Sequence, residues 1–460
     1  MRALADRFVR WVARLATLGW FRAVDVTGLE RIPWTGPVLL VANHHGGFVD
    51  PALLIAIVPR PVRFLAMARL WRIWPLRPLL AIAGAVPVHR AQDSAGGGEG
   101  TRANVDTFVA CFAHLREGGA IGIFPEGEAS DEAHLLPIRT GAARIALGAH
   151  ARGAMGLKIV PVGLIYEDKQ RARSRAYVRI GEPIEMDEDL AEHPEVPPDD
   201  TDRSAVLALT EVIEERLADA AIDFEDAEQR AELRFAATVA LRWSEGDPRG
   251  RPPVGEIERL ADALAALAEP AEGPIRELAV AYREALAAAE VPDAVVVPGA
   301  EAAFRARSRM GRILTLLLAP FAAVGIVANA LPALGVYLAG RRPNAPVTHA
   351  TTKFLVGIVL FAVNLALLRW IALAGTPRPW LLTLIVGPIC GLAALWVVGR
   401  LIRARRARLG FRRLAEASGA LDDLRARRAR LVEAIDAATT GSEPGRRRGD
   451  ESAGSLGVRT

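Results

Sequence analysis

Apolar residues along this chain follow two rhythms. Up to about residue 190 they come in short runs closed by polar turns: Val38–Ala42, Arg63–Met67, Ala85–His89, Ala120–Phe124, Ile159–Tyr166 and Arg175–Ile180. Runs of this length between turn residues predict strands. Helical patterns follow Asp50, Ala68, Asn104 and Thr140, and a Gly-rich loop, Ser94–Gly100, precedes the third of them. Strands alternating with helices predict an α/β domain over residues 23–190.

From Thr201 the rhythm changes. The chain becomes rich in Ala, Glu and Arg with helical periodicity up to Val291, and breaks are expected at Gly246–Pro253 and Glu269–Pro274. Three or four amphipathic helices are predicted in this region, residues 201–300. Ahead of everything, residues 1–22 put Leu4, Phe8, Trp11, Leu15 and Leu18 on one helical face, with Arg7, Arg10 and Arg14 beside it. That pattern suits a helix lying in a membrane interface, and equally one packed on a domain.

Three long apolar stretches fill residues 313–402: Ile313–Leu338, Phe354–Leu373 and Trp380–Ile402. The last two are each about 20 residues, enough to span a bilayer. The first is interrupted by Pro320, Asn329 and Pro332. Arginines and lysines flank these stretches at Arg305–Arg312, at Arg341, Arg342 and Lys353, and at Arg400–Arg408, whereas Ala374–Pro379 holds only Arg378. Keeping every basic flank in the cytoplasm predicts a re-entrant or interfacial first segment followed by a two-span hairpin. Residues 403–460 read as a basic helix and a disordered tail.

Composition sharpens this picture. Hydrophobic residues make up 51% of the 460-residue chain, with the excess concentrated in the three apolar stretches. The formal net charge is only +4, and the basic residues cluster at the amino end and beside the apolar segments. Such a distribution fits a membrane surface and acidic phosphate substrates, so no nucleic-acid partner is expected. A basic run, Arg60, Arg63, Arg69, Arg72 and Arg77 with Trp71 and Trp74, fits a membrane-facing surface or a solvated helix face. The two cysteines, Cys111 and Cys390, lie far apart, so neither a disulfide framework nor a zinc site is suggested.

Candidate chemistry sits where strand-like runs end. Val38–Ala42 leads into Asn43-His44-His45-Gly46-Gly47-Phe48-Val49-Asp50, and Ala120–Ile123 leads into Phe124-Pro125-Glu126-Gly127. An imidazole held by a carboxylate is suited to deprotonating a hydroxyl. No Gly-x-Ser-x-Gly nucleophile motif occurs.

These blocks resemble the PlsC-like phospholipid and glycerol acyltransferase family. Its first motif is Asn-His-x4-Asp. Gly84-Ala85-Val86-Pro87-Val88-His89-Arg90 is similar to the second motif, Phe124-Pro125-Glu126-Gly127 to the third and Ile159-Val160-Pro161-Val162-Gly163 to the fourth. Asp50-Pro51 resembles the bacterial branch similar to glycerol-3-phosphate and dihydroxyacetone-phosphate acyltransferases. The resemblance covers roughly residues 35–185 and implies a mixed sheet flanked by helices. It implies a membrane-bound enzyme of phospholipid biosynthesis, moving an acyl chain from acyl-CoA or acyl-carrier protein to glycerol 3-phosphate or lysophosphatidate. It implies no metal and no cofactor beyond the thioester, a place at the cytoplasmic membrane facing the cytoplasm, and membrane lipids as partners.

Two departures from the family pattern stand out. The histidine next to the asparagine is His44, while the four-residue spacing to Asp50 selects His45; both remain candidates for the base. The block after Gly127 is Glu128-Ala129-Ser130, with Ser130 its one hydroxyl, where relatives carry more. The resemblance makes Arg90 a ligand for the acceptor phosphate, since a guanidinium forks onto phosphate oxygens. Glu126 and Gly127 are expected to shape a turn at the acceptor, and Arg139 to add positive charge there or to serve a helix start. The rival readings are a non-catalytic membrane scaffold that keeps the fold and a membrane-anchored hydrolase.

Overall fold

The structure is a computed structural model. It describes residues 2–72, 77–88, 99–130, 134–191, 199–221, 227–244, 252–341, 346–373, 386–416 and 419–440. The chain divides into two compact units. One is Met1–Asp223 with Asn344–Phe354; the other is Phe224–Pro343 with Leu355–Ser452.

The first unit is built on an eight-stranded sheet. Its elements are α1 (Arg2–Trp20), β1 (Phe21–Thr27), β2 (Val38–Ala42), α2 (Val49–Ile57), β3 (Arg63–Met67), α3 (Arg77–Ala83), β4 (Val86–Val88), α4 (Glu99–Arg116), β5 (Ala120–Ile123), α5 (Gly141–Ala151), β6 (Lys158–Tyr166), β7 (Ser174–Ile180), β8 (Ile184–Glu185), α6 (Met186–Ala191) and α7 (Arg203–Ala221). Strand order is β1-β7-β6-β2-β5-β3-β4, with β8 on β6. All pairings are parallel except those of β6 with β7 and with β8. The sheet is therefore mixed, as the motif resemblance implies. The six expected strands occur. β1 was not anticipated, because Phe21–Thr27 carries Arg22 and Asp25 and lacks an apolar run.

β2 lies at the centre and is apolar throughout because both of its faces are covered. Leu39 and Val41 pack with Phe112 and Leu115 of α4, Ile145 and Leu147 of α5, and Leu209, Ile213 and Leu217 of α7. Each such side chain stabilises the fold by about 1.5–3 kcal/mol relative to exposure. α7 approaches so closely that a methyl on Gly163 would run into the Ala220 carbonyl. The first helix of the 201–300 stretch is thus part of the sheet unit. Arg60 is buried in that unit too. Its guanidinium donates to the carbonyls of Pro33, Gly36 and Gly118 at 3.1, 2.8 and 2.5 Å. It staples loops rather than facing a membrane.

The second unit is helical: α8 (Ala227–Ser244), α9 (Val254–Ala265), α10 (Glu269–Ala288), α11 (Asp293–Val296), α12 (Ala300–Ala339), the later part of α13 (Pro346–Leu373), α14 (Gly387–Glu416) and α15 (Ala420–Thr440). α10 starts at Glu269 and runs through Pro274, so the expected Glu269–Pro274 break falls instead before Glu269. Pro270 sits at the start of α10, where its missing N–H is not needed, and Pro274 lies inside the helix. Asp293 anchors the bundle. It accepts from Tyr282 at 2.8 Å, from Arg428 Nε at 2.9 Å and from Arg242.

The first apolar stretch lies within α12. That element is one helix of 40 residues that continues through Pro320 and Pro332. Gly311–Ala339 and Thr351–Trp370 are both long and apolar enough to cross a membrane, and few of their residues are buried. Neighbouring helices re-satisfy groups that prolines free. α12 packs along α14, and Gly325 gives the room: a methyl there would meet the Cys390 carbonyl. Asn364 of α13 donates to Ala328 O of α12 at 3.1 Å. The Ala374–Pro379 turn and the first residues of Trp380–Ile402 lie outside the described residues, as does the tail after Thr440.

Candidate active site

The candidate residues converge because of strand register. β2 lies between β5 and β6, with Val41 opposite Ile123 and Pro161. The parallel strands end together, so the loops after Ala42 and Ile123 meet beyond their carboxyl ends. Ligands bind there in open α/β sheets.

Asn43 carries the register one step further. Its side chain is fully buried, and it donates to Leu164 O at 3.0 Å while accepting from Leu164 N at 2.6 Å. This amide imitates a strand pairing and fixes where the next residue points. His44 follows, stacked on Phe124 with ring centroids 4.2 Å apart and planes 17° apart.

His44 Nδ1 lies 2.7 Å from Asp50 Oδ2. The carboxylate is completely buried. It also accepts from the Gly46 N–H, at 2.8 Å on Oδ2 and 3.0 Å on Oδ1, and from the Tyr166 hydroxyl at 2.5 Å on Oδ1. Its place in the first turn of α2 adds the favourable end of the helix dipole. Hydrogen bonds to a carboxylate are shorter and stronger than those between neutral groups, so these donors fix the position of Asp50. Burial pushes the Tyr166 phenol well above its ordinary value, and the Asp50 charge and hydrogen bond push the same way, so Tyr166 remains a donor.

His45 takes a different place. Its Nδ1 lies 3.2 Å from Ser130 O, and its carbonyl accepts from Lys169 Nζ at 2.9 Å. The geometry therefore pairs His44, not His45, with Asp50. The extra residue in the spacing is absorbed at Gly47, whose φ of +60° is open to glycine at little cost.

The Phe-Pro-Glu-Gly turn supports the histidine from below. Glu126 is 3% exposed, and its Oε1 accepts from His44 N at 2.6 Å. Its Oε2 accepts from Leu136 N at 3.4 Å. Burial pushes its carboxyl up to about 7, against the lowering pull of the His44 and Leu136 N–H groups. Gly127 has φ +76°, and a methyl on it would meet Arg139 Nε at 2.9 Å. Arg139 N donates to Pro125 O at 2.9 Å, which brings this exposed cation to the same turn. Ser130 N donates to His44 O at 2.9 Å, so the Glu128–Ser130 block braces the histidine through its backbone. Arg90 lies outside the described residues.

The structure thus gathers His44, Asp50, Glu126, Gly127 and Arg139. It adds Tyr166 and Asn43, which sequence reasoning left without a role. Tyr166 carried a faint signal as a polar-tipped residue closing an apolar strand; nothing local tied it to Asp50. Among the described residues, no three His, Cys, Asp or Glu side chains are grouped to hold a metal ion.

Comparisons with known proteins fit this site. Residues 23–165 match the model of the family described as Acyltransferase. Glycerol-3-phosphate O-acyltransferase 2 of Saccharomyces cerevisiae is 47% identical over 85 residues, which are 18% of this chain and 11% of that one. Glycerol-3-phosphate O-acyltransferase 1 of the same yeast is 27% identical over 291 residues, 45% of this chain and 38% of that one. The 1-acyl-sn-glycerol-3-phosphate acyltransferase of Borreliella burgdorferi is 30% identical over 141 residues, 31% of this chain and 50% of that one. The chain thus spans half or less of the length of each of these relatives. The His44–Asp50 pair and the Phe-Pro-Glu-Gly turn both lie inside residues 23–165, the span that matches the acyltransferase family model.

Proposed function

We propose that this chain moves an acyl group from a CoA or carrier-protein thioester to the free hydroxyl of glycerol 3-phosphate or lysophosphatidate. The observation that carries the reading is the 2.7 Å contact between His44 Nδ1 and a wholly buried Asp50. An Nδ1–H donated to Asp50 leaves Nε2 as the proton acceptor. Nε2 takes the acceptor's hydroxyl proton as the oxygen attacks the thioester carbonyl. A tetrahedral intermediate forms; its collapse breaks the C–S bond, and the imidazolium returns the proton to the departing thiolate. Asp50 stabilises the transient imidazolium and fixes the ring. General-base assistance of this kind contributes roughly 10²–10⁴-fold. The thioester is already activated, so the mechanism needs neither a metal nor a cofactor.

Arg139, exposed beside Gly127, supports a phosphorylated acceptor. Arg90 is assigned the same task on its motif alone. Glu126 holds the His44 backbone and leaves the deprotonation to the imidazole.

The apolar helices support a membrane-bound enzyme, and we assign it to the cytoplasmic membrane with the sheet unit facing the cytoplasm. Exposed Leu4, Phe8, Trp11 and Leu15 on α1 support a second, interfacial attachment. Arg10 and Arg14 of that helix turn inward, onto Pro59 O and Ala56 O, each at 3.1 Å. The test is acyl transfer by the full chain in phospholipid vesicles, with the two acceptors in parallel. Transfer to either supports the reading; transfer to neither, with intact thioester present, removes it.

A further inference from the structure

The loop that carries the base pair is strapped by a residue some three hundred positions later. Thr351 belongs to Asn344–Phe354, the stretch that folds with the sheet unit. Its hydroxyl accepts from Phe48 N at 3.3 Å and donates to Gly46 O at 3.4 Å. Those two residues bracket Gly47 in the turn between His44 and Asp50. A methyl on Gly47 would strike Thr351 Oγ1. α2 has no side-chain cap from its own Phe48, so the Thr351 oxygen serves one of the orphan N–H groups at that helix start.

Two neighbours hold the strap in place. Lys353 Nζ donates to Gln170 O at 3.1 Å. Phe354, buried, meets Trp20 edge-on with centroids 5.6 Å apart. The adjoining Lys169 reaches His45 O and Ser130 O at 2.9 and 2.8 Å. Thr351 is also the first residue of the apolar stretch Thr351–Trp370.

We propose that Thr351 is a positioning residue for the acyl-transfer site: the residue that opens the apolar stretch of α13 holds the Gly46–Phe48 turn so that His44 and Asp50 stay in register. The inference rests on the acyl-transfer reading above for its effect on rate, and on geometry alone for its effect on the loop. A shift of about 1 Å in such a pair costs on the order of 10²-fold in rate.

The experiment compares full-length wild type, Thr351→Val, Thr351→Ala and Thr351→Ser in vesicles of phosphatidylethanolamine and phosphatidylglycerol. Hydrogen exchange is read over residues 43–50, and kcat and KM are measured for thioester and acceptor. Val and Ala should speed exchange at Gly46–Phe48 and lower kcat roughly ten- to a hundredfold, with both KM values within about threefold. Ser, which keeps the hydroxyl, should restore both. Unchanged exchange in Val and Ala, or Ser behaving as they do, overturns the strap. So does faster exchange with full kcat. If wild type transfers nothing to any acceptor, the function reading falls, and the exchange data still decide whether Thr351 holds the loop.

Discussion

Tyr166 donates its hydroxyl to Asp50 Oδ1 at 2.5 Å, across 116 residues of chain. Tyr166 ends β6 and Asp50 opens α2, so the contact ties the central sheet to the helix that carries the carboxylate. The phenol and the Gly46 N–H share one oxygen, while His44 and Gly46 share the other.

Tyr166→Phe removes the strongest donor to that oxygen and keeps the ring stacked on Phe21. A lost hydrogen bond to a charged group costs about 1.5–3 kcal/mol. The expected result is a kcat lower by roughly ten- to a hundredfold with little change in KM. Steady-state kinetics on purified enzyme checks it; a full kcat would make Tyr166 a structural neighbour only.

Glu126 gives a pH signature. Its ordinary value is 4.5, and in the fold it stands near 7. A carboxyl raised in this way supports the fold while protonated. That support is complete below about 4.5 and is lost as pH rises through about 7. Glu126→Gln stays neutral throughout, so its stability advantage over wild type should grow between pH 5 and pH 8, by on the order of 3 kcal/mol at most. Thermal unfolding of both proteins across that range decides the matter. A constant difference would mean that the carboxyl titrates near its ordinary value.

Arginine substitutions should separate the acceptor from the donor. With both arginines assigned to the acceptor phosphate, Arg139→Ala and Arg90→Ala should each raise KM for the phosphorylated acceptor roughly tenfold or more while KM for the thioester holds. The reverse pattern would move that arginine to the thioester site.

Much of the site was legible because it lies in contiguous motifs. Strand ends mark where chemistry gathers, and the Phe-Pro-Glu-Gly turn announces itself. The choice between His44 and His45 was not legible, since it depends on how the Gly46-Gly47 loop bulges and on Asn43 pairing with Leu164. Tyr166 and Thr351 escaped because their contacts are purely tertiary. β1 escaped because it is an edge strand with only Phe21 buried, and its sequence lacks an apolar run. The continuity of α12 through Pro320 and Pro332 was not legible, since it depends on tertiary packing against α14 and α13.

Membrane threading follows from where Asn344–Phe354 folds. That segment folds within the sheet unit that carries His44, so the two are expected on one side of the membrane. An engineered cysteine at Thr348 should react with an impermeant reagent only from the cytoplasmic side. One at Thr376, beyond the end of α13, should react from outside. Outside labelling at Thr348 would mean that the sheet unit with which it folds faces away from the cytoplasm.

His44, held by Asp50, is assigned as the base. The most direct measurement is kcat/KM for acyl transfer by His44→Ala and His45→Ala, each purified in vesicles. His44→Ala should lose roughly 10³-fold or more, as should Asp50→Ala, because a broken pair leaves only binding and positioning. His45→Ala should stay within about tenfold of wild type. A dead His45→Ala beside an active His44→Ala would contradict the account.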